Sequence, residues 1–186
     1  EGKTVFMAAL ADALRTGAKS RRNLRCDVIS YSTAASQSAR SVENFLRCLV
    51  LWLRKITDTE KEPPLPHQYK DLLAEFRSTL GEMKKPVVVL VDGVDLLQDG
   101  RGQLSSDWIP QQLPNGVCIV LSVTSKTPLL QTLSTKRGMP LFSLGQLTMP
   151  DRKEIIQKEL DAFGKKLSDS AFNNQLQTLA TKKGAA

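Results

Sequence analysis

Three consecutive residues near the start of the chain, Gly2-Lys3-Thr4, run straight into the apolar stretch Val5 to Leu14. That order is how a phosphate-binding loop ends. Backbone amides at the positive end of a helix wrap a phosphate, the lysine ammonium reaches the terminal phosphates, and the threonine hydroxyl is a magnesium ligand. Gly2, Lys3 and Thr4 are therefore candidate nucleotide-binding residues, with Thr4 also a candidate metal ligand. A lone Gly-Lys-Thr is a weak signal, since the motif's earlier glycine and the strand before it would precede Glu1. On that ground the isolated 186 residues are expected to bind nucleotide weakly or not at all, and a submillimolar ATP affinity would refute this.

The stretch Val87-Val88-Val89-Leu90-Val91-Asp92-Gly93-Val94-Asp95 supplies the other half of such a site. A carboxylate at the end of a buried strand is costly to keep charged unless a cation or donors offset its desolvation. Asp92 occupies that place as a magnesium-holding Walker B aspartate, and Asp95 is placed to polarise the water that attacks a γ-phosphate. The competing account has Asp92 capping the loop and Gly93 serving the turn, and it leaves the Gly-Lys-Thr helix start unexplained. A third stretch, Val123-Thr124-Ser125-Lys126, ends another apolar run. Thr124 and Lys126 there can approach a γ-phosphate and report its presence. The alternative is a helix cap by Thr124 or Ser125 ahead of Thr127-Pro128.

These groups need a scaffold that brings strand ends to one helix start. Val5, Phe6, Ala9, Leu10 and Ala13 recur at helical spacing up to Gly17, which predicts a first helix starting at or near Lys3. A short strand is predicted over Leu24 to Tyr31, and then a polar loop from Ser32 to Ser41. Val42, Phe45, Leu46, Leu49, Val50, Leu53 and Ile56 mark a long helix, and Tyr69, Leu72, Leu73, Phe76 and Leu80 another, with the Pro-rich loop Thr57 to His67 between them. Val87 to Val91, apolar on both faces, reads as the middle of a parallel sheet, with further strands at Val117 to Val123 and Pro140 to Leu144. Helices are expected near Thr127 to Ser134, from Asp151, and around Phe172, Leu176 and Leu179. Alternating strands and helices define an α/β fold with a parallel sheet.

Composition excludes several classes. The longest apolar runs fall far short of the roughly 20 residues of a membrane span. The net charge of +7 comes from bases mixed with acids, and two Trp and two Tyr are not interleaved with them, which argues against nucleic acid as a partner. Cys26, Cys48 and Cys118 are scattered singly without zinc spacing and read as buried free thiols in a reducing, cytoplasmic setting. The lone His67 has no metal-binding neighbours in sequence.

Taken together, the GKT start, the helix-rich insertion, the D-G-x-D strand end and the T-S-K strand end resemble the NACHT branch of the STAND class of P-loop NTPases. The resemblance implies a three-layer P-loop NTPase core over residues 1–149, lacking its first strand in this stretch of chain, and the start of a small helical lid over 150–186. It also implies ATP or GTP with magnesium as ligands, a switch or scaffold module within a larger repeat-bearing animal protein, protein partners outside this chain, and oligomerisation as an output. Asp95 and Lys126 would be the catalytic residues. Two departures count against hydrolysis: Leu96 stands where many members carry another acid, and Lys126 where an arginine fork is usual. A degenerate, non-hydrolysing interaction platform is the alternative. A nucleotide kinase on the same fold would need an arginine-rich lid, and Asp151 to Lys166 carries Arg152 alone.

Overall fold

The computed structural model describes residues 2–17, 26–58, 64–136, 138–166 and 174. They fall into two compact units, Gly2–Phe142 and a second beginning at Ser143. In order the first contains α1 (Lys3–Gly17), β1 (Asp27–Ser32), α2 (Val42–Thr57), α3 (Tyr69–Gly81), β2 (Val87–Asp92), β3 (Val117–Leu121) and the short α4 (Pro128–Gln131). The second contains α5 (Met149–Ala162). The three strands form one parallel sheet in the order β1-β2-β3, with Asp27 beside Val87 and Val87 beside Val117. The uninterrupted apolar run of β2 is therefore central, as its sequence predicts, because a central strand meets helices on both faces.

Side-chain parity sorts the layers. Along a strand alternate residues point to opposite faces. Ile29, Val87, Val89, Val91, Val117 and Ile119 join the stripes of α2 and α3 in the main core, where Phe45, Leu46, Leu49, Leu53, Leu72 and Phe76 are fully buried. Val28, Val88, Leu90 and Val120 point the other way and meet Met7, Leu10, Ala11 and Leu14 of α1. Helices thus cover both faces of the sheet, the three-layer α/β arrangement that the sequence predicts.

α1 starts at Lys3 as its sequence predicts, but its inward face is not the stripe that the apolar spacing marks. Met7, Leu10, Ala11 and Leu14 face the sheet, while Val5 is 73% exposed and Phe6, Ala9 and Ala13 face outward. Positions 5–11 are all apolar, so periodicity alone could not choose a face, and the hydrogen bond of Thr4 to the sheet decides it. The helix ends are better specified. Ser41 caps α2 by accepting from the Asn44 amide, and α5 opens with a reciprocal capping box between Thr148 and Asp151 that starts it at Met149, ahead of the predicted Asp151. Those hydrogen bonds from Thr148 hold the Asp151 carboxyl below its ordinary value.

Other expectations need correction. Pro140 to Leu144 forms no strand: no described strand pairs with it, Pro140 has no amide to donate, and Phe142 is 79% exposed with its ring stacked on Phe6. β3 ends at Leu121, short of the predicted Val123, and β1 begins at Asp27. No helix fills the crossover from β2 to β3. A single helical turn, Val94–Leu96, and an irregular loop lead past the fully buried Trp108 to Gly116. Cys26 and Cys48 are half-buried and Cys118 is exposed, since Cys118 points to the α1 face of β3, so none is the buried thiol expected. The helix around Phe172, Leu176 and Leu179 lies outside the described residues. No described helix is long and apolar enough to cross a membrane.

Candidate functional site

Asp92 is the last residue of β2 and shares the α1 face with Val88 and Leu90. α1 lies on that face, so its first turn meets the strand end. The Thr4 hydroxyl donates to Asp92 Oδ2 at 2.8 Å, joining residues 88 positions apart. Gly2, with φ +81, turns the chain into the helix, and its carbonyl accepts from the Phe6 amide at 2.9 Å. Lys3, half-buried, is the first residue of α1, where the helix dipole favours an anion.

Asp92 is only 7% exposed, and three hydroxyls serve its carboxylate. Besides Thr4, Ser122 donates to Oδ1 at 2.6 Å, and Ser32 stands 3.5 Å from Oδ2. The register explains the gathering: Ser32 pairs with Asp92 across β1, and Ser122 follows Leu121, the partner of Val91, across β3. Ser32, Asp92 and Ser122 thus lie at neighbouring strand ends with the same parity, and Thr4 reaches them from the first turn of α1.

A fourth hydroxyl fixes the turn after the strand. The fully buried Thr33 donates from its amide to the Asp92 carbonyl at 3.1 Å, and its hydroxyl lies 2.8 Å from the Gly93 carbonyl oxygen. Gly93 has φ +73, and a Cβ there would stand 2.5 Å from Thr33 Oγ1. Gly93→Ala is accordingly expected to destabilise the protein by about 2 kcal/mol, through left-handed strain and the displacement of Thr33. Urea unfolding checks this; a loss within error would show that the turn yields without cost.

Asp95, in the turn Val94–Leu96, is half-buried, and its carboxylate accepts from the Thr124 amide at 3.3 Å. The segment after β3 is thereby tied to the turn after β2. Lys126 is exposed, with φ +65. Among the described residues no hydrogen bond or ion pair joins Lys3 or Lys126 to Asp92 or Asp95. The cap of α4 is Thr127, which accepts from the Leu130 amide, so neither Thr124 nor Ser125 is spent on capping.

Sequence reading selected Thr4, Asp92, Asp95 and Thr124, which meet in two pairs, and missed Ser32, Thr33 and Ser122. Strand parity was the available signal for Ser32 and Ser122, but a register is needed to use it. A hard cation fits the Thr4–Asp92 pair. Thr4 gives its proton to Asp92 and keeps oxygen lone pairs for a metal, and the carboxylate carries the charge. No cluster of three or more His, Cys, Asp or Glu suited to a metal occurs among the described residues. A magnesium ion would thus take its remaining ligands from water and phosphate, as it commonly does.

A cavity of about 630 Å³ lies near the start of β3, away from Asp92, lined by Arg77, Asp107, Ile109, Gln111 and Pro114 among others. Burial disfavours the Asp107 charge, but hydrogen bonds from Ser105 and Tyr69 outweigh it and hold the carboxyl below its ordinary value. Tyr69 is pushed up to about 12, chiefly by burial. Both groups brace the loop that carries Trp108.

A parallel α/β sheet with a Gly-Lys-Thr helix start bonded to a strand-terminal aspartate defines the class of P-loop NTPases. Within that class the chain belongs to the NACHT family, whose domain model matches residues 1–162. It is similar to telomerase protein component 1 of Mus musculus, 35% identical, and to that of Rattus norvegicus, 34% identical, in each case over 100% of this chain and 7% of the relative. A TPR repeat-containing protein of Dictyostelium discoideum is 28% identical over 64% of the chain and 7% of its own length. The chain thus spans about 7% of the length of these relatives. No solved structure matches the chain.

Proposed function

We propose that this chain is the nucleotide-binding module of a larger cytoplasmic scaffold protein and works as a magnesium-dependent switch driven by ATP or GTP, with slow hydrolysis at most. The observation that carries the reading is the Thr4–Asp92 hydrogen bond, which sets a phosphate-binding helix start against a carboxylate suited to magnesium. Gly2, Lys3 and Thr4 hold the phosphates, Thr4 and Asp92 hold the metal, and Thr124 and Lys126 face the terminal phosphate. Magnesium supplies charge neutralisation of the phosphate oxygens when bound. The NACHT assignment and the repeats in the name of the Dictyostelium relative support a switch that passes its state to partners or to further copies of itself.

Asp95 is the proposed base that orients the attacking water. Asp95→Asn is expected to abolish phosphate release in the intact protein while nucleotide binding persists, measured by a steady-state phosphate assay. Turnover equal to the parent's would remove Asp95 from the mechanism.

One observation favours the second reading, a non-hydrolysing interaction platform. Asp95 already accepts the Thr124 amide, and its neighbour is Leu96 rather than a second acid. Nucleotide binding without any phosphate release in the parent would select the platform.

A further inference from the structure

We infer that Ser122 is the positioning residue for the Asp92 carboxylate, an inference that rests on the magnesium-dependent reading above. The terminal torsion of an aspartate is broad, so the strand alone does not decide which oxygen faces a ligand. Ser122 decides it. The Gly93 amide donates to Ser122 Oγ at 2.8 Å, which occupies one side of that oxygen, and the single Ser122 proton goes to Asp92 Oδ1 at 2.6 Å. Oδ2 is then the oxygen left to Thr4 on the α1 side, the side on which phosphates and metal would lie.

The bridge is well protected and well anchored. Ser122 and Asp92 are each 7% exposed, so water competes little for either hydrogen bond. The Ser122 amide donates to the Val91 carbonyl at 2.9 Å, and its carbonyl accepts from the Val94 amide at 3.0 Å. Backbone and side chain of one residue thus hold the strand before Asp92, the carboxylate itself and the turn after it. Two residues further on, Thr124 bonds Asp95, so the same segment fixes both acids relative to each other.

A hydroxyl is what the position requires, and an isosteric pair tests it. Ser122→Thr keeps the hydroxyl and Ser122→Val replaces it with a methyl of the same shape, so their difference cancels any packing effect. The readout is magnesium enhancement: the affinity of the intact protein for a fluorescent ATP or GTP analogue with magnesium, divided by its affinity in EDTA. S122T is expected to retain the parent's enhancement. S122V should lose about tenfold of it, the usual cost of removing a partner that orients a metal ligand. Equal enhancement in S122T and S122V, whatever their melting temperatures, would overturn the inference and leave Ser122 a brace for the turn. A parent whose affinity is indifferent to magnesium would overturn the switch reading itself, and that result appears before any variant is compared.

Discussion

Replacing Lys3 with alanine in the intact protein is expected to lower nucleotide affinity by at least about a hundredfold, to below detection by isothermal calorimetry at ordinary concentrations. Lys3 begins α1, beside a threonine whose own position is fixed by Asp92 at 2.8 Å. Its ammonium would therefore work at the positive end of a helix, where amides and side-chain charge act on the same phosphates. Losing one charge-assisted contact costs about 3 kcal/mol, and 1.4 kcal/mol corresponds to a factor of about ten. Lys3→Arg should recover only part of the affinity, because the guanidinium is a planar fork rather than a compact point charge. Affinity unchanged in Lys3→Ala would reduce the Thr4–Asp92 bond to a tie between helix and strand, and the nucleotide reading would fall with it.

The second large effect concerns the core. Phe45→Ala should destabilise the protein by about 3–5 kcal/mol, measured by urea unfolding. Phe45 is fully buried on α2 and meets Trp108 edge-on, with ring centroids 4.6 Å apart, and Tyr31 at 5.0 Å. Trp108 belongs to the irregular crossover between β2 and β3, which has no helix of its own to cover the sheet. Truncating Phe45 would thus remove the surface against which that crossover packs, and a cavity between a helix and a loop has no regular element that can close it. A loss below about 1 kcal/mol would mean that the loop collapses into the space.

How much of this could be read from the residues depends on which physical signal each feature carries. The central strand was legible because Val87 to Val91 is apolar at every position, which only a strand covered on both faces needs. Asp92 was legible because a carboxylate at the end of such a strand must be compensated. The stripes of α2 and α3 stood out because polar residues interrupt them at regular intervals. The stripe of α1 did not, since positions 5–11 offer two apolar faces and the choice between them is made by a tertiary hydrogen bond.

Ser122 and Ser32 escaped notice for a different reason. Each is an ordinary serine in sequence, and each gains its partner only when the strands are set in register with Ser32 beside Asp92 and Leu121 beside Val91. Thr33 was similarly hidden, although the small residue after Asp92 was a clue: Gly93 leaves the space that the Thr33 hydroxyl fills. The strand expected at Pro140 to Leu144 failed because strand propensity needs a neighbouring backbone, and the described residues offer it none.

The two faces of the sheet are unequally furnished, and that inequality sets an order of events in time. The α2–α3 side holds the large cluster around Phe45, Phe76 and Trp108, whereas α1 is anchored by Met7, Ala11 and Leu90 with a fringe of half-buried neighbours. Local opening follows the weakest anchorage, so the amides of α1 would exchange with solvent deuterium sooner than those of β2, which is bonded on both edges. A ligand gripping the first turn of α1 raises the free energy of that opening with the logarithm of its concentration. Nucleotide would then act as a latch, and the dwell time of one helix against the sheet would become a gauge of nucleotide concentration.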